Sequence, residues 1–178
     1  MAEAPVAVTM KITEYNRLID EWALAIGRFL ITFTDREYYI HLYLGALGSA
    51  ELRSKSAHLN LAPRARVARK LILGRHLTDE IRKRVEVAFN TLTRLARTRN
   101  LIAHNGPMVH VYQNSDGAFE IRHELRSARD PTKDITIPEL EKLHAEAHDL
   151  NEELALLFGL VRKPENRTKA TAAQRPAH

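Results

Sequence analysis

Arg99, Asn100 and His104 are the residues whose types and spacing best suit chemistry on a phosphate. Arginine stays charged and offers a planar fork of donors that matches phosphate oxygens. Imidazole exchanges protons near neutral pH. Asn100 and His104 are four apart, so on a helix they share one face. Cutting RNA by attack of the 2′-hydroxyl needs a base for that hydroxyl, an acid for the leaving 5′-oxygen and positive charge on the phosphorane. One chain supplies one such Arg–His pair. A two-fold dimer would supply two of each in one cleft. Asn100 would orient His104 or the scissile phosphate.

The element that must position these groups is the longest helical pattern in the chain. Thr78 is its expected N-cap, with Asp79 and Glu80 in the first turn, where acidic residues suit the dipole. Its apolar seam is Ile81, Val85, Ala88, Leu92, Leu95, position 99 and Ile102. Gly106, expected in the left-handed C′ conformation, and Pro107 should end it. Position 99 therefore belongs on a buried seam, yet it holds arginine. A charge there is costly unless it is paired or faces a cavity. Arg99 either snorkels or pairs with a carboxylate, or points into a cleft built for an anion. Asp20, Glu21, Asp35 and Glu37 are the candidate partners from the N-terminal helices, and periodicity does not choose among them.

Arg99-Asn100-Leu101-Ile102-Ala103-His104 at the end of a long helix, with the exit His104-Asn105-Gly106, resembles the R-N-x-x-x-H motif of HEPN-domain proteins. The resemblance covers this motif and the all-helical layout of residues 11–160. It implies a small helical bundle and a metal-independent endoribonuclease that leaves a 2′,3′-cyclic phosphate, with Arg99, His104 and Asn100 as the catalytic set. It implies a homodimer through the motif face, since such enzymes usually pair their motifs across an interface. It also implies a toxin or phage-defence role, with an antitoxin protein as a further partner.

A chain of 178 residues suits one domain. A domain near 150 residues buries roughly 68–70% of its unfolded surface and can fold without staples. Cysteine is absent, which excludes disulfides and thiolate–zinc sites and allows a cytoplasmic setting. No apolar run approaches the roughly 18 residues of a membrane span, and Met1–Pro5 lacks the pattern of a secretory signal. Lys and Arg number 27 against 22 Asp and Glu, which permits a nucleic-acid partner without requiring one. Part of that excess lies in the tail, at Arg162, Lys163, Arg167, Lys169 and Arg175.

The expected architecture is all-α, an up-and-down bundle of four or five helices with a small β-hairpin inserted before the last helix. Residues 1–10 read as a flexible lead-in, 11–162 as the bundle and 163–178 as a disordered basic tail. The first seam is Ile12, Tyr15, Ile19, Trp22, Ile26, Phe29 and Phe33, with Thr13 as a possible cap. Thr34-Asp35 offers a break before a second helix over 36–57. In that helix Gly45 and Gly48 could mark a close approach of two helices. Tyr38, Tyr39 and Tyr43 read as packing residues at the core edge. Residues 54–63 read as a connector before a short basic helix, about Arg64–Gly74.

That helix and its surroundings carry the other candidate RNA-binding residues, Arg64, Arg66, Arg69, Lys70 and Arg75, with Arg97 beside the motif. They form either a solvated face or a phosphate-tracking surface leading to Arg99 and His104. Residues 108–125 alternate about Asp116-Gly117, the signature of a hairpin. A polar loop over 126–134 precedes a final helix capped by Thr136, with Pro138 in its first turn and Gly159 and Pro164 near its end.

His144, His148 and Glu152 share a face of the last helix, but Ala145 stands where an H-E-x-x-H metal motif needs glutamate. A solvated face is the expectation there, with no metal and no cofactor. His41, His58, His110 and His123 read as isolated, at surface or partly satisfied positions. The main rival to a nuclease is a module of the same fold that binds RNA, nucleotide or a protein partner and cuts nothing. A third reading is a structural dimer joined through the hairpin edge.

Overall fold

Helix-period seams account for most of the architecture, and the computed structural model describes residues 12–113, 115, 117–127 and 134–163. Among them the elements run α1 (Ile12–Leu47), α2 (Ala50–Ala57), α3 (Leu61–Leu73), α4 (Asp79–His104), β1 (Pro107–Gln113), β2 (Phe119–Arg126), β3 (Asp134–Ile135) and α5 (Ile137–Arg162). The protein is mostly helical, with a small three-stranded antiparallel sheet. No helix of the described residues is long and apolar enough to cross a membrane. The lead-in, the tail beyond Lys163 and the stretch 128–133 lie outside the described residues.

The expected break at Thr34-Asp35 does not occur, and α1 runs unbroken for 36 residues. Thr34 Oγ1 donates to the Leu30 carbonyl at 3.0 Å, so its hydroxyl is spent within the helix and caps nothing new. Asp35 accepts from Asn151 Nδ2 of α5 at 3.2 Å, which stitches the same turn to its neighbour. The real break comes at Gly48-Ser49. A Cβ on Gly48 would lie 2.7 Å from the Leu44 carbonyl oxygen, so glycine is needed for this turn and not for an approach between helices. Ser49 then caps α2 by accepting from the Leu52 amide at 3.2 Å. The second helix expected over 36–57 is therefore the end of α1 followed by α2. Thr13 lies inside α1 and is not its cap.

Helix α3 starts at Leu61, earlier than the basic run suggested, with Asn60 as N-cap. Pro63 is accommodated in its first turn, where a missing N–H costs no helical hydrogen bond. Thr78 caps α4 as expected, accepting from the Ile81 amide at 3.3 Å. Thr136 and Glu139 form both halves of a capping box on α5, which passes through Gly159 to Arg162.

The core forms where α1 packs along α5 and α3, while α4 packs on α3 and α5. Trp22, Phe29, Phe33, Ile40 and Tyr43 of α1 are buried with Leu92 and Leu95 of α4 and Leu140, Leu154 and Leu157 of α5. Ile12 and Tyr15, placed on the first seam by periodicity, are exposed because the described neighbours of α1 pack further along it. Arg84 and Glu153 tie α4 to α5 through two contacts of 2.8 and 2.7 Å. Tyr43 lies in the core itself, where burial pushes its phenol well above the ordinary range. Its hydroxyl donates to the Leu154 carbonyl at 2.8 Å. Tyr43→Phe should therefore lower stability by about 1 kcal/mol, measured by urea unfolding. An unchanged midpoint would mean that this bond contributes nothing.

The hairpin forms as expected, with Gly117 at φ +84° in its turn and Val109 opposite His123. The third strand is a correction to the polar loop: Ile135 pairs with Leu125 and Asp134 with Arg126. Two residues show no periodicity, and this strand exists because Leu125 and Ile135 are both buried there.

Candidate functional site

Helix α4 ends differently from the glycine-cap expectation. Asn105 is extended, at φ −139° and ψ 135°, and Gly106 does not take positive φ. Asn105 Nδ2 donates to the Leu101 carbonyl at 2.7 Å, which satisfies one of the last-turn acceptors in place of a left-handed glycine. The chain turns at once into β1, so the motif sits at the junction of the helices and the sheet.

The seam of α4 is buried at Val85, Ala88, Leu92, Leu95 and Ile102. Arg99, one turn before Ile102, is half-buried, while Asn100 and His104 are exposed. All three line one open cleft of about 450 Å³, with Phe33 and Glu37 of α1, Asn60, Leu61, Ala62 and Arg64 of α3, and Ala96. The cation on the seam of α4 thus faces a cavity. Arg99 Nη1 makes a long contact of 3.4 Å with Asn100 Oδ1. That contact joins the asparagine to the arginine rather than to the histidine.

Of the four carboxylates considered for Arg99, Glu37 is the one that lines the cleft, and it pairs with Arg64 instead. Glu21 pairs with Arg17, and Asp35 is engaged by Asn151. Arg64 Nη2 lies 3.5 Å from Glu37 Oε2, and Nη1 contacts His41 Nε2. His41, expected at a surface or partly satisfied position, is exposed and is not isolated, since it contacts Arg64.

The basic residues of the proposed tracking surface separate by place. Arg64 lines the cleft. Arg69 is 3.7 Å from Glu86, and Arg66, Lys70 and Arg97 are exposed outside the residues that line it. Arg75 is half-buried and also outside that lining. Of this series, Arg64 alone lines the cleft among the described residues.

The face of α5 bearing His144, His148 and Glu152 is only partly solvated. His144 is half-buried, with Nε2 at 3.0 Å from Thr32 Oγ1 of α1. His148 and Glu152 are exposed and 3.9 Å apart. Among the described residues no group of three metal-ligating side chains is gathered.

Glu37 and His41 had a legible signal, of which the expected break at Thr34-Asp35 concealed only the link to Phe33. They are four apart, and Glu37 is four after Phe33, so an unbroken α1 carries all three along one edge of its buried seam. In comparison with known proteins, no family model, no characterised protein and no solved structure matches the chain.

Proposed function

We propose that the protein is a metal-independent endoribonuclease of the HEPN type, built on an up-and-down helical bundle and acting in the cytoplasm as a homodimer through the motif face. The observation that carries this reading is the meeting of Arg99, Asn100 and His104 in one open cleft. In the reaction the RNA 2′-oxygen bonds to phosphorus as the 5′-oxygen leaves. One proton is taken from the 2′-hydroxyl and one is given to the 5′-oxygen, so the products are a 2′,3′-cyclic phosphate and a free 5′-hydroxyl. His104 performs the proton work and Arg99 neutralises the phosphorane. His104 is the one histidine among the described residues lining the cleft. A second copy facing it would supply the partner acid or base. Asn100 lines the same cleft and orients His104 or the scissile phosphate. On this reading a toxin or defence role, with an antitoxin as partner, follows from the resemblance of the motif.

The test is incubation of end-labelled single-stranded RNA with the purified protein in excess EDTA. Fragments ending in 2′,3′-cyclic phosphate are expected. RNA that stays intact while bound would overturn the nuclease and favour the binding module. Fragments with 3′-hydroxyl ends would overturn the mechanism.

A further inference from the structure

We propose that Arg64 forms a second phosphate subsite in this cleft, beside the one at Arg99 and His104, so that the ligand is gripped at two neighbouring phosphates. The inference rests on the nucleic-acid reading of the cleft but not on cleavage.

Arg64 is unlike the other cations of its helix. Its side chain is only 12% exposed, while Arg66 and Lys70 stand in solvent and Arg69 turns to Glu86. It reaches the cleft from the first turns of α3, opposite the wall formed by α4. Two groups one turn apart on α1, Glu37 and His41, hold its Nη2 and Nη1. A guanidinium has five N–H donors, so this grip leaves donors unspent. The Arg64 Nε, like that of Arg69, is buried and has no hydrogen-bond partner among the described residues, so what sets Arg64 apart is its place in the cleft lining.

A plain ion pair between α1 and α3 explains less. The contact with Glu37, at 3.5 Å, is a long one, and together with that to His41 it does not use the full donor set of the guanidinium. The charge balance of the lining also points to an anion. Arg64 and Arg99 face the cavity with Glu37 as the single carboxylate among the described lining residues. Asn60, Leu61 and Ala62, the start of α3, complete that wall, and the Asn60 side chain makes no capping hydrogen bond. The positive end of the α3 dipole therefore adds to the field of Arg64. The cavity of about 450 Å³ is larger than one phosphate group requires and falls within the roughly 300–1,000 Å³ of sites that hold small ligands.

The probe is a fluorescent 2′-O-methyl oligouridylate, which lacks the attacking hydroxyl and cannot be cut. Binding is followed by anisotropy over a salt series. Arg64→Met should weaken binding about tenfold or more, as loss of a charged hydrogen bond does. It should also reduce the slope of log affinity against log salt by about 0.7, one phosphate contact on a single strand. Arg64→Lys, which keeps the charge and loses the fork, should restore that slope. A neutral methylphosphonate at one internal linkage should weaken the wild-type protein and add little to Arg64→Met. A wild-type slope in Arg64→Met would overturn the subsite, even with a lowered melting temperature, because it marks Arg64 as a tie between helices. Failure of the wild-type protein to bind the oligonucleotide would also overturn it. If natural RNA stays uncut while the Arg64-dependent slope is present, the nuclease reading fails and the subsite stands.

Discussion

His104→Ala is expected to slow RNA cleavage by about 10²- to 10⁴-fold, the usual contribution of a positioned general acid or base. Arg99→Ala should fall in a similar range, since removing one preorganised donor from a developing oxyanion costs about 10²–10³ in rate. The two effects should not multiply in the double variant, because residues that act as one unit lose their joint effect once. Folding should survive both changes. His104 is exposed, and among the described residues Arg99 makes one long hydrogen-bond contact of 3.4 Å, with the neighbouring Asn100. Single-turnover cleavage rates and melting temperatures of the four proteins decide the matter. A double variant that cuts at the wild-type rate would remove this cleft as the active site. A loss of rate accompanied by a large fall in melting temperature would assign the residues to folding instead.

Arg36→Met should make the protein more stable, by about 1–3 kcal/mol, the cost of burying hydrogen-bond donors without partners. Arg36 is the cation most deeply enclosed among the described residues, with 0% exposure on the core seam of α1. Its Nη1 donates to the Thr32 carbonyl, but Nε and Nη2 have no hydrogen-bond partner among the described residues. The Phe33 ring, 5.6 Å from the guanidinium carbon, gives it only a cation–π contact. Burial lowers its pKa to about 10, and nearby Asp35 acts weakly in the opposite sense.

The sign follows from which form is disfavoured. Unfolded arginine holds its proton to higher pH than Arg36 does, so the cost is present in full below about pH 10 and is relieved as pH rises beyond it. Methionine fills the same space with a flexible apolar chain and has nearly the helix propensity of arginine. Thermal unfolding at neutral pH tests this, with about 2–4 °C expected per kcal/mol for a chain of this size. A lower melting temperature would show that the Arg36 charge is compensated in the native state.

The two arginines on helix seams illustrate how far periodicity reaches. Arg99 was legible as an apolar-position cation because the seam of α4 is regular on both sides of it, and a cap at Thr78 set its phase. Arg36 was not, because a break at Thr34-Asp35 would have reset the phase of the helix that carries it. A threonine followed by an aspartate has the composition of a helix start. Whether it acts as one depends on the Leu30 carbonyl and on Asn151, a residue more than a hundred positions away. The capping box at Thr136 and the hairpin turn at Gly117 needed no such information, since each is decided within a few residues.

Local rules thus determined the two long helices α4 and α5 with their inward faces, the hairpin and the six-residue run from Arg99 to His104. Tertiary packing decided that this run faces a cleft, that Arg64 alone of the basic series helps to wall it, and that Glu37 and His41 hold Arg64 in place. The division has a physical basis. Caps, turns and amphipathic stripes are set by bonds and contacts spanning one or two turns, which a linear pattern records. A cleft is the space left between three helices, and the identity of its walls depends on how far each helix runs before it ends.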